Sequence, residues 1–276
     1  MKRMVLIAIF ICLLAPSVIY AWNFPDDFAF VGLEKWSQEL KKNVFAVQIE
    51  GDLTNKKEDD DYIIIGSGFL ITKNNLVVGI TCSHVISKYI EIKEGKINYK
   101  KQLYVGLDTS EGYKRFHVDV AYIDADMDFA LLLPKKEKAE DKITLSNLVL
   151  NESYLGKNDL IIEGKGILII GYPLGLGIEY NKNFPVVKFG IISQYTKQNY
   201  FLIDGVANPG NSGSPVYSLK DGKIIGMVTA FKPDLIPLFD KEGNLVATLP
   251  YNSGLSNALP VEIIKDALDK LGKKEQ

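Results

Sequence analysis

Cysteine is close to missing from this chain of 276 residues: Cys12 and Cys82 are the only two. Cys12 sits in an apolar leader, so the chain beyond it carries Cys82 alone. It can form no internal disulfide and has to be held by its core rather than by covalent staples. Histidine is equally sparse. His84 and His117 stand far apart with no Cys/His cluster around either, which excludes a zinc site of the usual ligand spacing. Neither sign of charge dominates: 32 basic residues against 34 acidic ones leave a formal charge of -2. With no long basic run or arginine–aromatic stripe, nucleic acid is not an expected partner. There is no internal repeat, and Gly175-Leu176-Gly177 lacks the third glycine of a dinucleotide loop. The expectation is a protein without metal or cofactor.

Apolar residues, by contrast, make up 47% of the chain, enough for one large core or two modest barrels. Residues 1–21 read as a signal peptide: Lys2 and Arg3 lead into an apolar run from Met4 to Ala15, then Pro16, Ser17 and the small Ala21. The protein is therefore expected to be exported, periplasmic or secreted. Ile19 is bulky for the third position before a cut after Ala21, so a membrane anchor left by an uncleaved leader is the alternative. In residues 22–42, Leu33, Trp36 and Leu40 recur at helical spacing and predict a short helical arm.

At Asn43 the period changes from helical to alternating, with Phe45, Val47 and Ile49 on one face and Ala46, Gln48 and Glu50 on the other. Short β-rich runs follow at Tyr62 to Thr72, Leu76 to Thr81, Leu103 to Leu107, Phe116 to Ile123 and Phe129 to Leu133. Four more come at Gly166 to Tyr172, Val186 to Ser193, Phe201 to Ile203 and Ile224 to Phe231. Regular short strands without long helices predict an all-β barrel or sandwich. The charged stretch Lys135 to Lys142 splits the strands into halves at 43–134 and 159–259, with 135–158 as the linker. Pro260 then opens a helix over 260–276, with Ile263, Ile264, Ala267, Leu268 and Leu271 as its apolar face and Gly272 ending it.

The sharpest local feature is Asn208-Pro209-Gly210-Asn211-Ser212-Gly213-Ser214-Pro215. Alone it would read as a polar loop between strands. As a nucleophile site it makes chemical sense, because Gly210 lets the backbone approach a substrate carbonyl. The amides of Gly210 and Ser212 can then converge on the developing oxyanion. Ser212 needs a base, and both histidines precede it, which excludes an α/β-hydrolase, where the histidine follows the serine. His84 comes directly after an apolar strand, at a strand end where an imidazole is held at a rim. His117 lies inside an alternating run and reads as an ordinary strand residue. Four aspartates compete to orient His84: Asp119, Asp124, Asp126 and Asp128. Asp128 alone directly precedes an apolar strand that would carry its carboxylate into the core, whereas Asp124 and Asp126 read as solvated turn residues. The order His84, Asp128, Ser212 is that of the chymotrypsin triad and not the subtilisin one. Cys82 reads as a small buried thiol rather than a nucleophile.

Six segments, in order, resemble the protease domain of HtrA/Deg-type trypsin-like serine peptidases. They are Gly66-Ser67-Gly68-Phe69-Leu70-Ile71, the segment around His84, Asp128-Phe129-Ala130-Leu131-Leu132, Gly171-Tyr172-Pro173-Leu174-Gly175, the Ser212 motif, and Gly254 through Pro260. The resemblance, over about Asn43 to Leu271, implies two six-stranded β-barrels of the chymotrypsin fold with a short N-terminal and a C-terminal helix. His84, Asp128 and Ser212 would lie between the barrels, and Gly210 and Ser212 would form the oxyanion hole. It further implies peptide hydrolysis, with the substrate added as a strand along Thr229 to Phe231. A relative that binds peptides without cutting them is the alternative. The residue six before the serine, Val206, is expected at the base of the specificity pocket beside Ala207, with Val228, Ala230 and Phe231 on its far wall. None is charged, so small or medium aliphatic P1 residues are expected. HtrA proteases usually carry PDZ modules after the final helix, and none is seen in this sequence. Ser214, where HtrA proteases have glycine, resembles the glutamyl endopeptidase branch, but Val228 stands where those enzymes carry their specificity histidine. Asn211 replaces the aspartate that pairs with a new N-terminus in trypsin-type zymogens, so activation by that salt bridge is not expected.

Overall fold

The computed structural model describes residues 33–51, 62–109, 112–135, 149–173, 185–195 and 199–274. The leader, the charged part of the linker and Gly175-Leu176-Gly177 lie outside these residues. No helix among them is long and apolar enough to cross a membrane.

Helix α1 (Leu33–Lys41) is followed by β1 (Val44–Glu50), β2 (Tyr62–Lys73), β3 (Leu76–Thr81) and the one-turn helix α2 (Ser83–Ser87). A small hairpin, β4 (Ile90–Lys93) and β5 (Lys96–Tyr99), leads to β6 (Leu103–Thr109), β7 (Gly112–Asp124) and β8 (Phe129–Pro134). These strands pair in the order β1-β6-β7-β8-β3-β2, and β1 also pairs with β2, which closes a ring of six. The short β9 (Leu150–Asn151) adds to β2 in parallel. A closed six-stranded barrel then forms from β10 (Gly166–Gly171), β11 (Val186–Tyr195), β12 (Phe201–Asp204), β13 (Pro215–Ser218), β14 (Ile224–Phe239) and β15 (Leu245–Pro260). Helix α3 (Val261–Lys274) ends the described chain. This is the mostly-β, two-ring architecture expected from the sequence, with α3 starting one residue after Pro260.

Strand periodicity explains how the rings meet. In β10, Ile167 and Ile169 turn into the second barrel with Ile192, Phe201, Ile203, Val216 and Val228. Leu168 and Ile170 turn outward and join the core that contains Phe45, Phe69 and Phe129 of the first ring. A strand buried on both faces reads as an unbroken apolar run, which is how Gly166-Ile-Leu-Ile-Ile-Gly171 reads. Ile264 and Leu268 of α3 join the same shared core. A polar bond also crosses it: the buried Tyr217 hydroxyl donates to Asn43 Oδ1 at 2.7 Å. Burial of both partners makes that bond costly to lose.

One element extends well past the sequence expectation. The sequence ends a strand at Phe231, yet β14 runs on to Phe239 and pairs with β15 out to Leu245. Pro233, Pro237 and Pro250 occur in it at Pro233↔Asn252, Leu235↔Pro250 and Pro237↔Thr248. These pairs share one parity of the ladder, so the missing N–H groups fall on the outer edges and the intervening pairs keep the hydrogen bonds. The far end is closed by Asp240, whose carboxylate accepts from the backbone and side chain of Asn244 at 2.7 and 3.0 Å.

Candidate active site

The first ring supplies His84 and Asp128. β3 ends at Thr81, Cys82 stands at the N-cap of α2, and His84 lies in the first turn, where backbone amides have no partner within the helix. Asp128 provides one: its Oδ1 accepts from His84 N at 3.0 Å and from the Ser83 hydroxyl at 2.9 Å. The same carboxylate faces the ring, with His84 Nδ1 at 2.8 Å from Oδ2 and 3.0 Å from Oδ1. Asp128 adopts φ +56, a left-handed conformation that Asp tolerates better than most residues. Asp124 caps the turn leading to it, accepting from Asp126 N at 3.1 Å and Met127 N at 2.9 Å. Burial pushes the Asp128 carboxyl up, but the hydrogen bonds from the His84 ring and amide, the His84 charge and the Ser83 hydroxyl outweigh it. The group titrates below an ordinary aspartate.

The second barrel supplies Ser212, from two successive tight turns. Asn211 N donates to Asn208 O at 3.0 Å and Ser214 N to Asn211 O at 2.9 Å. The third residue of each turn is glycine, Gly210 at φ +94 and Gly213 at φ +90, as a type II turn requires, and Pro209 fits its second position. At Gly213 a side chain would also collide with the Ser67 carbonyl. Ser212 Oγ comes to 2.9 Å from His84 Nε2 and 3.2 Å from Thr229 O. Among the described residues, neither Gly210 N–H nor Ser212 N–H donates to a protein acceptor.

Ser67 fastens this loop to the first ring, a role not evident in the sequence. Its amide donates to Ser212 O at 2.9 Å, its hydroxyl donates to Gly210 O at 2.6 Å, and Tyr172 N donates to that hydroxyl at 2.8 Å. The available signal was its place between Gly66 and Gly68, both of which face side chains too closely for a Cβ. Ser214 is fully buried, and its hydroxyl has no partner among the described residues. It lies against Gly171, where any side chain would occupy its space.

Of the expected pocket residues, Ala207, Val228, Thr229, Ala230 and Phe231 line one pocket of about 360 Å³ with His84, Asn208, Pro209 and Ser212. Val206 is 47% exposed and is not part of that lining, whereas its neighbour Ala207 is buried and is. β13 pairs with β14 only as far as Met227. Past Val228, which bonds to Gly213 and Ser214, the cleft edge of β14 faces no strand among the described residues. His117 lies on β7, stacked on Tyr104 and beside Gln102. The ligand atoms of Cys82, His84 and Asp128 converge within 4.8 Å. Burial, and then the Asp128 charge, push the Cys82 thiol well up, and it donates to Val228 O at 3.3 Å. A protonated, buried thiol is a poor metal ligand.

The trypsin-like peptidase domain family matches residues 66–227. Among curated proteins, the chain is 26% identical to a probable periplasmic serine endoprotease DegP-like of Pseudomonas fulva, over 75% of this chain and 34% of that protein. It is 28% identical to the protein so named from Halomonas elongata, over 75% and 35%. With the mitochondrial serine protease HTRA2 of Drosophila erecta it shares 26% identity over 76% and 40%. The chain thus spans about a third of the length of the bacterial relatives it matches. Among solved structures, the HtrA-type protease AlgW with decapeptide superposes at a TM-score of 0.54 with 19% identity, covering 86% of this chain and 67% of the other.

Proposed function

Since the chain belongs to the trypsin-like peptidase family, we propose that it is a serine endopeptidase acting through Ser212, His84 and Asp128. The observation that carries this reading is the 2.9 Å approach of Ser212 Oγ to His84 Nε2 while Asp128 engages the other ring nitrogen. His84 takes the Ser212 proton as Oγ attacks the scissile carbonyl, then gives it to the leaving amine. Asp128 holds the ring in the Nδ1–H tautomer and steadies the imidazolium. The Gly210 and Ser212 amides receive the oxyanion. Water then attacks the acyl-enzyme with His84 again as base.

The substrate lies as a strand along the open edge of β14 from Thr229 to Phe231, where backbone bonds hold it without regard to sequence. Its P1 side chain enters the pocket walled by Ala207, Val228, Ala230 and Phe231. With no carboxylate there, a lysine or arginine would lose hydration at a cost of several kcal/mol. The preferred P1 residues are therefore small or medium aliphatics. The relatives named as periplasmic, together with the apolar leader, support an exported enzyme, and the neighbour that carries a decapeptide supports peptides as substrates.

Fluorophosphonate labelling and peptide cleavage test the proposal together. Wild-type protein is expected to react at Ser212, and Ser212→Ala to lose labelling and about 10⁴-fold or more in rate with its fold intact. Normal proteolysis by purified Ser212→Ala refutes it. A P1 scan tests the pocket: dominant cleavage after Lys, Arg or Glu contradicts the apolar reading.

A further inference from the structure

Lys188, on β11, reaches the Ser212 loop. Its Nζ donates to Val206 O at 2.7 Å. The Asn211 amide, oriented so that its oxygen meets donors, accepts from the same Nζ at 3.0 Å and from Asn208 N at 3.1 Å. Val206 and Asn211 bracket Ala207-Asn208-Pro209-Gly210, so one ammonium ties together both ends of the segment that presents the Gly210 amide. Asn211 is only 1% exposed and directly precedes Ser212.

The arrangement is unusual for a lysine. Lys188 is half-buried, and among the described residues no carboxylate pairs with it; burial alone pushes its amine below an ordinary lysine. A partly desolvated ammonium is tolerated where fixed acceptors replace its water, and here both acceptors belong to the catalytic loop. Asn211 suits this role because its amide oxygen receives two donors, one from the turn it closes and one from Lys188. The turn is thereby braced with no cut in the chain.

We propose that Lys188 is a positioning residue for the oxyanion hole: its ammonium, bound to Val206 O and Asn211 Oδ1, holds the Asn208–Asn211 turn in the shape that aims the Gly210 and Ser212 amides at the transition state. This rests on the peptidase reading but adds a residue that neither the triad nor the pocket contains.

Lys188→Met removes the amine and keeps most of the stem. In it, kcat is expected to fall about 10- to 100-fold with KM nearly unchanged, because the lost alignment matters only once charge develops on the carbonyl oxygen. Affinity for a peptide boronate, which mimics the tetrahedral state, should fall by the same factor. Lys188→Arg, which keeps a cationic donor, should retain kcat within a few-fold. Wild-type kcat in Lys188→Met, or a loss of kcat with unchanged boronate affinity, overturns the inference. If Lys188→Met fails to fold, Lys188→Gln is measured with the same readouts.

Hydrogen exchange at the Asn211 amide reads the turn without any need for turnover. Protection should drop in Lys188→Met and be restored in Lys188→Arg, and unchanged protection overturns the positioning role. A wild-type protein that cuts no peptide, while Lys188→Met still loosens the turn, sinks the peptidase reading and the oxyanion role with it, and leaves only the bracing of the Asn208–Asn211 turn by Lys188.

Discussion

Asp128 and Ser67 show how much a single side chain does around this cleft. Asp128 receives bonds from three groups of its neighbours at once, whereas Asp124 and Asp126 belong to the turn beside it. Asp128→Asn is therefore expected to cost on the order of 10⁴-fold in kcat by losing the tautomer that it fixes, while Asp124→Asn and Asp126→Asn cost little. Comparable losses in all three, measured on one peptide substrate, would falsify the assignment. Asp128 also titrates lower folded than unfolded, so the stability it supplies is fully present above the ordinary aspartate value of 3.8 and drains as pH falls through its folded value. Acid unfolding of Asp128→Asn should then be flatter below about pH 4. Ser67→Ala strands Tyr172 N in the core and removes the donor to the half-buried Gly210 O, at about 1–3 kcal/mol, read as a lower thermal midpoint. Sequence proposed Ser212 from its place in a glycine-flanked motif, His84 as one of only two histidines, and Asp128 as the aspartate that directly precedes an apolar strand. Ser67 and Lys188 escaped because serine and lysine are common, and only the folded loop shows which of them reach it.

At the level of elements, the period of the apolar residues was readable even where both faces of a strand are buried, as in β10 and for Ala46 and Gln48 of β1. α1 and α3 follow the helical spacing of their apolar residues, and β1 and β10 follow alternation or an apolar run. The β14–β15 arm was not readable, since Pro233, Pro237 and Pro250 look like breakers until their shared parity is known. Leu235, Ile236, Phe239, Leu245, Val246 and Leu249 along it are all exposed, by 44% to 67%. A two-stranded ribbon of that kind adds little stability alone. Replacing residues 234–251 with a two-residue turn should leave the thermal midpoint nearly unchanged. Peptide cleavage should survive too, because Asn252, which donates to Ala207 O at 2.9 Å and so supports the pocket, is retained. A collapse of the midpoint on trimming would show that the arm holds the barrel.

For the molecule as a whole, alternation along strands gives faces but not partners, so the closing of β1 onto both β2 and β6 is visible only in the fold. The cleft is built from both rings: His84 and Asp128 come from one, Ser212 and the pocket from the other. Activity is thus a readout of how the rings sit together, and in a denaturant series it should be lost no later than the loss of β structure followed by circular dichroism. Cys82 lies on that same seam, at the end of β3 and bonded to Val228 O on β14, with no exposed surface. In a Cys12→Ser background it is the single thiol, and no reagent can touch it until the seam opens. The pace at which an alkylating agent adds mass to Cys82 then times the parting of the rings, with each labelled molecule recording one opening. Labelling in native buffer should be far slower than in the unfolded chain and should keep step with the loss of cleavage. Fast labelling of fully active protein would mean that the seam breathes without disturbing the cleft. The near-absence of cysteine, which denies this protein a covalent staple, thereby equips it with a stopwatch.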